Sequence, residues 1–287
     1  MESINTIEAV FPWFIPAVVF IFGAIWGSFL NVVIHRLPEG RSVVSPPSSC
    51  VCGQRIPFYH NIPLVSWLFL RGKAACCELP LTVRYWVVEV LTALLFLLLW
   101  LAYTPAIASV GMVFFALLIA ATFIDLEHMI IPDVLSIGGM FAGVLLSLFV
   151  PEIHGFSSGS LHAHASAWIE ALLGVFVGTS MVYWIATLGE LLLKKPAMGE
   201  GDMKFLAAIG AFTGWQGALF ALFGGAFIGT LIILPWMLWR QIQKPEEPRV
   251  QELPFGPFLA IGAVLHFLYV NSMVDAYFNQ IAELLFL

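Results

Sequence analysis

The sequence predicts an all-α polytopic membrane protein, with about eight transmembrane helices and a loop domain after the first helix. Of its 287 residues, 60% are hydrophobic and only 10% are charged. The mean hydropathy is +0.94. In soluble domains roughly a quarter of the residues are charged, so this composition excludes a water-soluble globule. At roughly 20 apolar residues per crossing, the chain has room for about eight spans.

The apolar segments set the expected order of helices. The first runs from about Phe11 to Ile34 without a charge, and it lacks the basic front end of a cleaved signal peptide. Seven more follow Arg84, at about 86–103, 106–124, 134–150, 168–193, 205–212, 218–239 and 258–270, with a possible extension to Leu287. The 205–212 segment is interrupted by Gly210 and Gly214, so a buried half-helix is the alternative there.

The basic residues predict the orientation. Residues 36–84 are rich in Pro and Ser and hold six of the 12 Lys and Arg. If this segment is cytoplasmic, eight crossings place the other six, from Lys194 to Arg249, on the same side. Because short cytoplasmic loops are enriched in Lys and Arg, we expect both termini to face outward. The expected parts are a first helix (1–35), a cytoplasmic loop domain (36–84) and a transmembrane bundle (85–287). No basic patch large enough for nucleic acid occurs.

Small residues recur four apart within the predicted spans. Such spacings let two helices approach closely, so we interpret them as packing positions. They are Gly23/Gly27, Gly139/Gly143, Gly174/Gly178 and Gly225/Gly229.

Two aspartates stand at the edges of apolar segments. Asp125 follows an uninterrupted apolar run, and Asp202 directly precedes the segment that starts at Phe205. The predicted order of the eight crossings places both aspartates on the cytoplasmic side. Ionisable residues beside a hydrocarbon span are costly, so they are candidates for function. Capping and solvation explain the neighbouring acids Glu127, Asp133 and Glu200.

Asp125 and Asp202, if brought together, would suit peptide hydrolysis. Two close carboxylates do not both ionise cheaply, so one keeps a proton and the other can act as a base. This is the arrangement of aspartic proteases, which need no metal. Gly199 and Gly201, which lack a Cβ, would let an extended peptide approach. Intramembrane carboxylates also serve as proton or cation relays, and the residues alone leave these two alternatives equal.

The segment Gly199-Glu200-Gly201-Asp202 resembles the GxGD motif of bacterial type IV prepilin peptidases, the leader peptidase/N-methyltransferases. Four other stretches match in order, over about Gly27 to Ala260: Gly27–Pro38, Asn61–Leu68, Asp125 with Pro132-Asp133, and Pro254–Ala260. The resemblance implies an inner-membrane aspartic protease whose catalytic residues are Asp125 and Asp202. It would remove the leader of type IV prepilins or type II secretion pseudopilins on the cytoplasmic side, at a Gly-Phe junction, for the pilus or secretion assembly machinery. It would then methylate the new N-terminus with S-adenosylmethionine.

All four cysteines lie in the loop domain, where the family often carries two CxxC pairs suited to zinc. Here Cys50 and Cys52 are one residue apart and Cys76 and Cys77 are adjacent, while Ser49 and Ala74 stand where the other pair members are expected. A structural Zn²⁺ remains one hypothesis. The alternative is that these are leftover thiols, and a disulfide is less favoured in a reducing compartment.

Three more residues are singled out near this loop. Gly72-Lys73 resembles the family turn tied to methyl transfer, so the S-adenosylmethionine site is placed here by resemblance alone. Glu89 lies about one turn inside the second helix. It would either pair with Arg84 or another cation, or contact the basic leader of the substrate.

Three alternatives to the two-activity enzyme follow from the sequence. A peptidase that has lost methyl transfer is the nearest one, because the departures from the family pattern fall in the loop domain. A carboxylate-based transporter would need polar groups through the depth of the bilayer, and the spans are nearly free of them. A membrane scaffold would need no aspartate pair.

Overall fold

The computed structural model describes residues 10–50, 52–194, 198–243 and 253–270, together with Met273, Tyr277, Gln280 and Ile281. Lys195, Lys244, Arg249 and most of the possible extension to Leu287 lie outside the described residues. The α-helices are α1 (Phe14–Arg36), α2 (Val65–Phe69), α3 (Arg84–Ala102), α4 (Pro105–His128), α5 (Asp133–Phe149), α6 (Leu161–Leu193), α7 (Glu200–Gln243) and α8 (Gly256–Leu265). Short 3-10 helices occupy Phe58–Asn61 and Pro151–His154, and a π-helical turn, His266–Val270, follows α8.

The described helices confirm an all-α polytopic membrane protein. Five of them, α1, α3, α4, α6 and α7, are long and apolar enough to cross a membrane. Two shorter apolar helices accompany them: α5, and α8 with its π-helical turn. The β-pairing recorded in the described residues is limited to two isolated bridges in the loop between α1 and α3.

Helix α7 is two helical segments that meet at Gly214, whose backbone (φ 71°, ψ −179°) is not helical. Gly201, near the beginning of α7, packs against Ile131, which contacts the first residue of α8. Gly229, beyond the break, packs on the first turn of the same helix. A straight helix would separate residues 201 and 229 by about 42 Å, so the chain reverses at Gly214. The two segments correspond to the apolar segments predicted at 205–212 and 218–239, and the first of them begins at Glu200.

The chain divides into two compact units, the first ending at Ala120 and the second beginning at Ala121. In the first unit α1 packs on α3 through small residues. A Cβ at Gly23 would lie 2.8 Å from the Cα of Ala93, and one at Gly27 would lie 2.7 Å from the Cα of Glu89. The buried face of α3 also contributes large apolar side chains, among them Phe96 and Leu99.

Glycines also set the packing of the second unit. Gly174 of α6 meets the backbone of Gly210 in α7, and a Cβ at Gly178 would lie 2.7 Å from the carbonyl oxygen of Leu206. A Cβ at Gly143 of α5 would approach the Ala211 side chain equally closely, at 2.7 Å. Each predicted pair of small residues thus has a member in close helix contact, which confirms their interpretation as packing positions.

Candidate active site

Asp125 lies in the last turn of α4. The helix ends just after it, because Met129 donates its N–H to the Asp125 carbonyl (2.9 Å) and then adopts a left-handed conformation with φ 56°. Pro132 follows and directs the chain into α5, since its fixed φ suits the residue before a helix. The Asp125 residue is only 5% exposed, so its carboxylate is held inside the protein although it belongs to a helix end.

Asp202 lies in the first turn of α7, at its third residue. Its carboxylate accepts the backbone N–H of Gly199 and interacts electrostatically with that of Asp125. A carboxylate in the first turn of a helix is favoured by the helix dipole. The structure therefore places the two aspartates that the sequence singled out within electrostatic reach of each other, although they are 77 positions apart in the chain.

Gly256 provides the third component, which sequence reasoning did not single out. It is the first residue of α8, and its N–H donates to Oδ2 of Asp125 over 3.0 Å. A Cβ at this position would lie 2.7 Å from the same oxygen. The available signal was the glycine between two prolines in Pro254–Ala260, one of the stretches that carry the family resemblance.

The structure shows what lies beside the two glycines of the GxGD motif, Gly199 and Gly201. A Cβ at Gly201 would contact the Ile131 side chain at 3.4 Å, and one at Gly199 would lie 3.6 Å from Oδ2 of Asp202. Nearby, Lys204 of α7 forms an ion pair with Asp133 of α5, with 2.7 Å between Nζ and Oδ1. This pair connects α5 to the first turns of α7, which carries Asp202, and it shows that Asp133 does more than begin a helix.

The four cysteines converge in the loop domain. Their Sγ atoms all lie within 4.8 Å of one another, with 3.5 Å between Cys50 and Cys77 and 3.3 Å between Cys52 and Cys76. Sulfur ligands of a tetrahedral zinc ion are about 3.8 Å apart, from the Zn–S distance of about 2.3 Å. The altered spacing therefore does not prevent the cluster from holding a metal.

Two tight turns bring the cysteines together. The first is closed by a bridge between Ser49 and Arg55, and the second by a bridge between Lys73 and Pro80. Within the cluster, a backbone hydrogen bond from Cys52 and the neighbouring thiols lower the pKa of Cys50 to about 7. Sharing a hydrogen bond with Cys50 raises the pKa of Cys76 to about 12.

Glu89 lies on the buried face of α3 and is engaged by the loop before it. Its Oε2 accepts the N–H of Leu64 at 2.7 Å, and it is hydrogen-bonded by Ser28 of α1. Leu64 has φ 63° and ψ −47°, and the N–H of Val65 bonds the Pro63 carbonyl across it at 2.7 Å. This is the strained three-residue γ-turn. The carboxylate thus anchors the loop, and contact of Glu89 with a leader peptide stays a prediction.

Gly72 occupies a turn that only glycine suits. It has φ +69°, and a Cβ there would lie 3.0 Å from the Trp67 ring. Its N–H bonds the Trp67 carbonyl at 2.9 Å, and its own carbonyl accepts from Leu81 at 2.7 Å. Gly72 and Lys73 therefore sit between the short helix α2 and the second cysteine turn, and their role in methyl transfer stays a prediction.

A polytopic helical protein with two interacting carboxylates at helix ends has the features of a membrane-embedded aspartic peptidase. Comparison with known proteins gives the family. Residues 21–103 match the bacterial peptidase A24 N-terminal domain, and residues 112–234 match the type IV leader peptidase family. No solved structure matches the chain significantly.

Several curated proteins are similar over nearly their whole length. Proteins named prepilin leader peptidase/N-methyltransferase from Aeromonas hydrophila and Pectobacterium carotovorum subsp. carotovorum are each 35% identical to this chain. The alignments cover 94% and 92% of it and 96% of each relative. The protein of that name from Dichelobacter nodosus is 35% identical over 87% of this chain and 90% of its own. The chain belongs to the prepilin leader peptidase/N-methyltransferase family.

Proposed function

We propose that this chain removes the leader of prepilins by a water attack catalysed by Asp125 and Asp202, and then methylates the new N-terminus. Membership of the family supports both activities. The observation that supports these residues is the electrostatic interaction of the Asp202 carboxylate of α7 with that of Asp125 of α4, which accepts the N–H of the first residue of α8. The arrangement needs neither a metal nor a covalent intermediate.

The hydrolysis proceeds by general acid and base catalysis. The ionised carboxylate of the pair accepts a proton from water, and the water oxygen attacks the carbonyl carbon of the scissile peptide bond. The protonated carboxyl donates its hydrogen bond to the carbonyl oxygen and stabilises the negative charge that develops there. When the tetrahedral intermediate collapses, the C–N bond breaks and the leaving nitrogen takes a proton from the pair. The mature subunit then has a free N-terminal amine.

The substrate is a membrane-inserted prepilin or pseudopilin helix with a basic leader. Both aspartates lie at helix ends, so a junction at the lipid-water boundary would reach them, and the lack of side chains at Gly199 and Gly201 gives an extended backbone room. We infer cleavage at a Gly-Phe bond on the cytoplasmic face of the inner membrane, with both termini of the enzyme outside. The mature product would then pass to the pilus or type II secretion assembly machinery.

Methylation is assigned to the loop domain, residues 36–84, with Gly72 and Lys73 near the cofactor. When bound, S-adenosylmethionine would supply the methyl group, which the new amine accepts as it loses a proton. Trp67 of the loop and Trp86 of α3 offer aromatic surface for an adenine and a sulfonium, and their rings are 6.0 Å apart.

The cysteine cluster supports a structural Zn²⁺ in the same domain. Cys50, Cys52, Cys76 and Cys77 supply four sulfurs at distances suited to tetrahedral coordination. The metal would fix the two turns against each other and thereby the position of Gly72 and Lys73.

The proposed function is tested with Asp125→Asn and Asp202→Asn. Each should lower the rate of leader removal by a factor of about 10² to 10⁴, the contribution of a general acid or base. The measurement is mass spectrometry of a prepilin incubated with detergent-purified enzyme and labelled S-adenosylmethionine. Methylation of an already mature N-terminus should persist in both variants, which shows that they are folded. Glu127→Gln, two residues after Asp125 and exposed, is the matched control. Full cleavage by either Asn variant would remove that residue from the pair.

A further inference from the structure

We propose that Gly256 is a positioning residue of the peptidase, whose backbone N–H and missing side chain together hold the Asp125 carboxylate beside Asp202. This inference rests on the proposed role of the two aspartates. It concerns a residue that takes no part in the reaction itself, and it assigns a purpose to the Pro254–Ala260 stretch.

The N–H groups at the beginning of α8 differ in where they find an acceptor. The first four N–H groups of a helix have no acceptor within the helix and need one outside it. Phe258 and Leu259 both donate to the carbonyl of Phe255, at 3.0 and 3.2 Å. Pro257 has no N–H. Of these four positions only Gly256 directs its donor away from the helix, and the acceptor is Oδ2 of Asp125.

The beginning of α8 also stabilises the Asp125 carboxylate electrostatically. The beginning of a helix carries a partial positive charge, so a carboxylate is stabilised there. A hydrogen bond from a backbone N–H to an ionised oxygen is about twice as strong as one between neutral groups. Asp125 is almost completely buried and therefore depends on such a donor to stay in one orientation.

The space around residue 256 is too small for a side chain. A Cβ there would lie 2.7 Å from Oδ2 and 3.2 Å from Cγ of Asp125, and also 3.2 Å from Cδ1 of Ile131. The carboxylate has little room to yield toward Ile131, which is itself packed against Gly201. Gly256 belongs to α8 and is not among the glycines with a positive φ, so its backbone conformation does not require glycine. Glycine is required because the Asp125 carboxylate leaves no room for a Cβ.

Helix α8, which presents the N–H of Gly256, is held closely by α7. A Cβ at Gly225 of α7 would lie 2.6 Å from the Phe258 carbonyl oxygen, and one at Gly262 would lie 2.7 Å from that of Ala221. Helix α8 is therefore in close backbone contact with α7 at both its first and its second turn. A helix held this closely does not follow a displaced carboxylate, so any shift falls on Asp125.

The test is Gly256→Ala in the full-length enzyme, purified in detergent, with a synthetic prepilin peptide as substrate. We expect kcat for leader removal to fall by about 10²-fold, since a misplacement of about 1 Å at a reacting group costs that much. KM should change less than about threefold, because the substrate contacts remain. Methylation of a mature peptide should continue at the wild-type rate. Gly138→Ala is the matched control, because Gly138 has nothing within 4 Å of its Cβ position.

Two comparisons make the outcome decisive. Asp125→Asn is assayed in parallel: if it is inactive while Gly256→Ala keeps full kcat, the positioning role is overturned and the proposed function stands. If Asp125→Asn itself cleaves normally, the proposed function has failed. Should Gly256→Ala fold poorly, its thermal stability is measured again with Asp125→Ala. Relief of the defect by the smaller side chain supports the contact, and an unchanged defect contradicts it.

Discussion

The surroundings of His154 determine the protonation state of its imidazole. It lies in the 3-10 helix after α5, with Nε2 2.9 Å from the hydroxyl of Ser147. That hydroxyl also bonds the carbonyls of Gly143 and Ala211, so it connects α5 and α7. Burial lowers the pKa of His154 to about 4. The neutral imidazole is therefore the form that the folded protein accommodates.

His154 should make stability depend on pH. Between the unfolded pKa of about 6.5 and the folded value of about 4, the unfolded chain binds more protons. Stability therefore falls as pH drops through this window and is fully present above it. We expect the unfolding temperature in detergent to fall less between pH 7.5 and 4.5 in His154→Gln than in the wild type. His128→Gln, at an exposed position, is the control. Equal pH slopes for His154→Gln and the wild type would contradict the assignment.

Asp125 and Gly256 show the same dependence on surroundings at the candidate active site. An aspartate in the last turn of a helix is usually exposed, and here the beginning of a second helix covers it. The N–H of Gly256 and the absent Cβ act at the same oxygen. The chemistry of a single carboxylate is therefore set by a residue 131 positions later in the chain.

At the scale of the helices, close backbone contact holds the second unit together. Helices in a membrane gain little from the hydrophobic effect between them, so packing at small residues contributes more. Helix α6 meets α7 where Gly174 faces Gly210 and Gly178 faces Leu206. Because Asp202 lies in the first turn of α7, this contact also fixes where the carboxylate proposed to be catalytic lies relative to the other helices of the unit.

Gly178→Val should separate α6 from α7. A Cβ at this position already lies 2.7 Å from the Leu206 carbonyl oxygen, and overpacking of this kind costs about 1–3 kcal/mol. We expect a lower unfolding temperature in detergent and a reduced rate of leader removal. Gly138→Val carries the same change in helix propensity at a position with open space, and it should leave both quantities close to wild type. Similar effects of the two substitutions would mean that helix propensity, and not packing, is responsible.

At the scale of the whole molecule, the division into two units corresponds to the two matched family regions. The unit that ends at Ala120 contains the match at 21–103, and the unit from Ala121 contains most of the match at 112–234. The cysteine cluster and Gly72 belong to the first unit, and Asp125, Asp202 and Gly256 to the second. Each proposed activity thus draws its named residues from a single unit.

Metal removal should separate the two activities. We expect about one zinc ion per chain by elemental analysis, from the tetrahedral geometry of four sulfurs. Treatment with a chelator should then lower methyl incorporation and leave leader removal near its starting rate, because the aspartates need no metal. Cys77→Ser should lose the zinc, whereas Ser49→Ala, beside the cluster, should keep it. A full zinc content in Cys77→Ser, or loss of leader removal on chelation, would contradict this assignment.

Much of the architecture could be predicted from local pattern. Hydropathy identified the helices because every span must satisfy its own backbone in lipid, and small-residue spacing marked the packing faces. The two aspartates were identifiable because charge beside an apolar run is costly. Helix boundaries were less accurate: α6 begins at Leu161 instead of Trp168, and α7 at Glu200 instead of Phe205.

The sequence by itself therefore determined the class of fold and the residues with chemical potential, since both follow from the composition of continuous segments. Only the tertiary structure decided which of these residues meet. It placed Gly256 on Asp125, reversed the chain at Gly214, and brought Cys50 and Cys52 to Cys76 and Cys77 despite their unusual spacing. The physical reason is that a hydrogen bond or a metal site depends on distances of a few ångströms between segments. Those distances are set by how whole helices and turns pack, and no local pattern contains them.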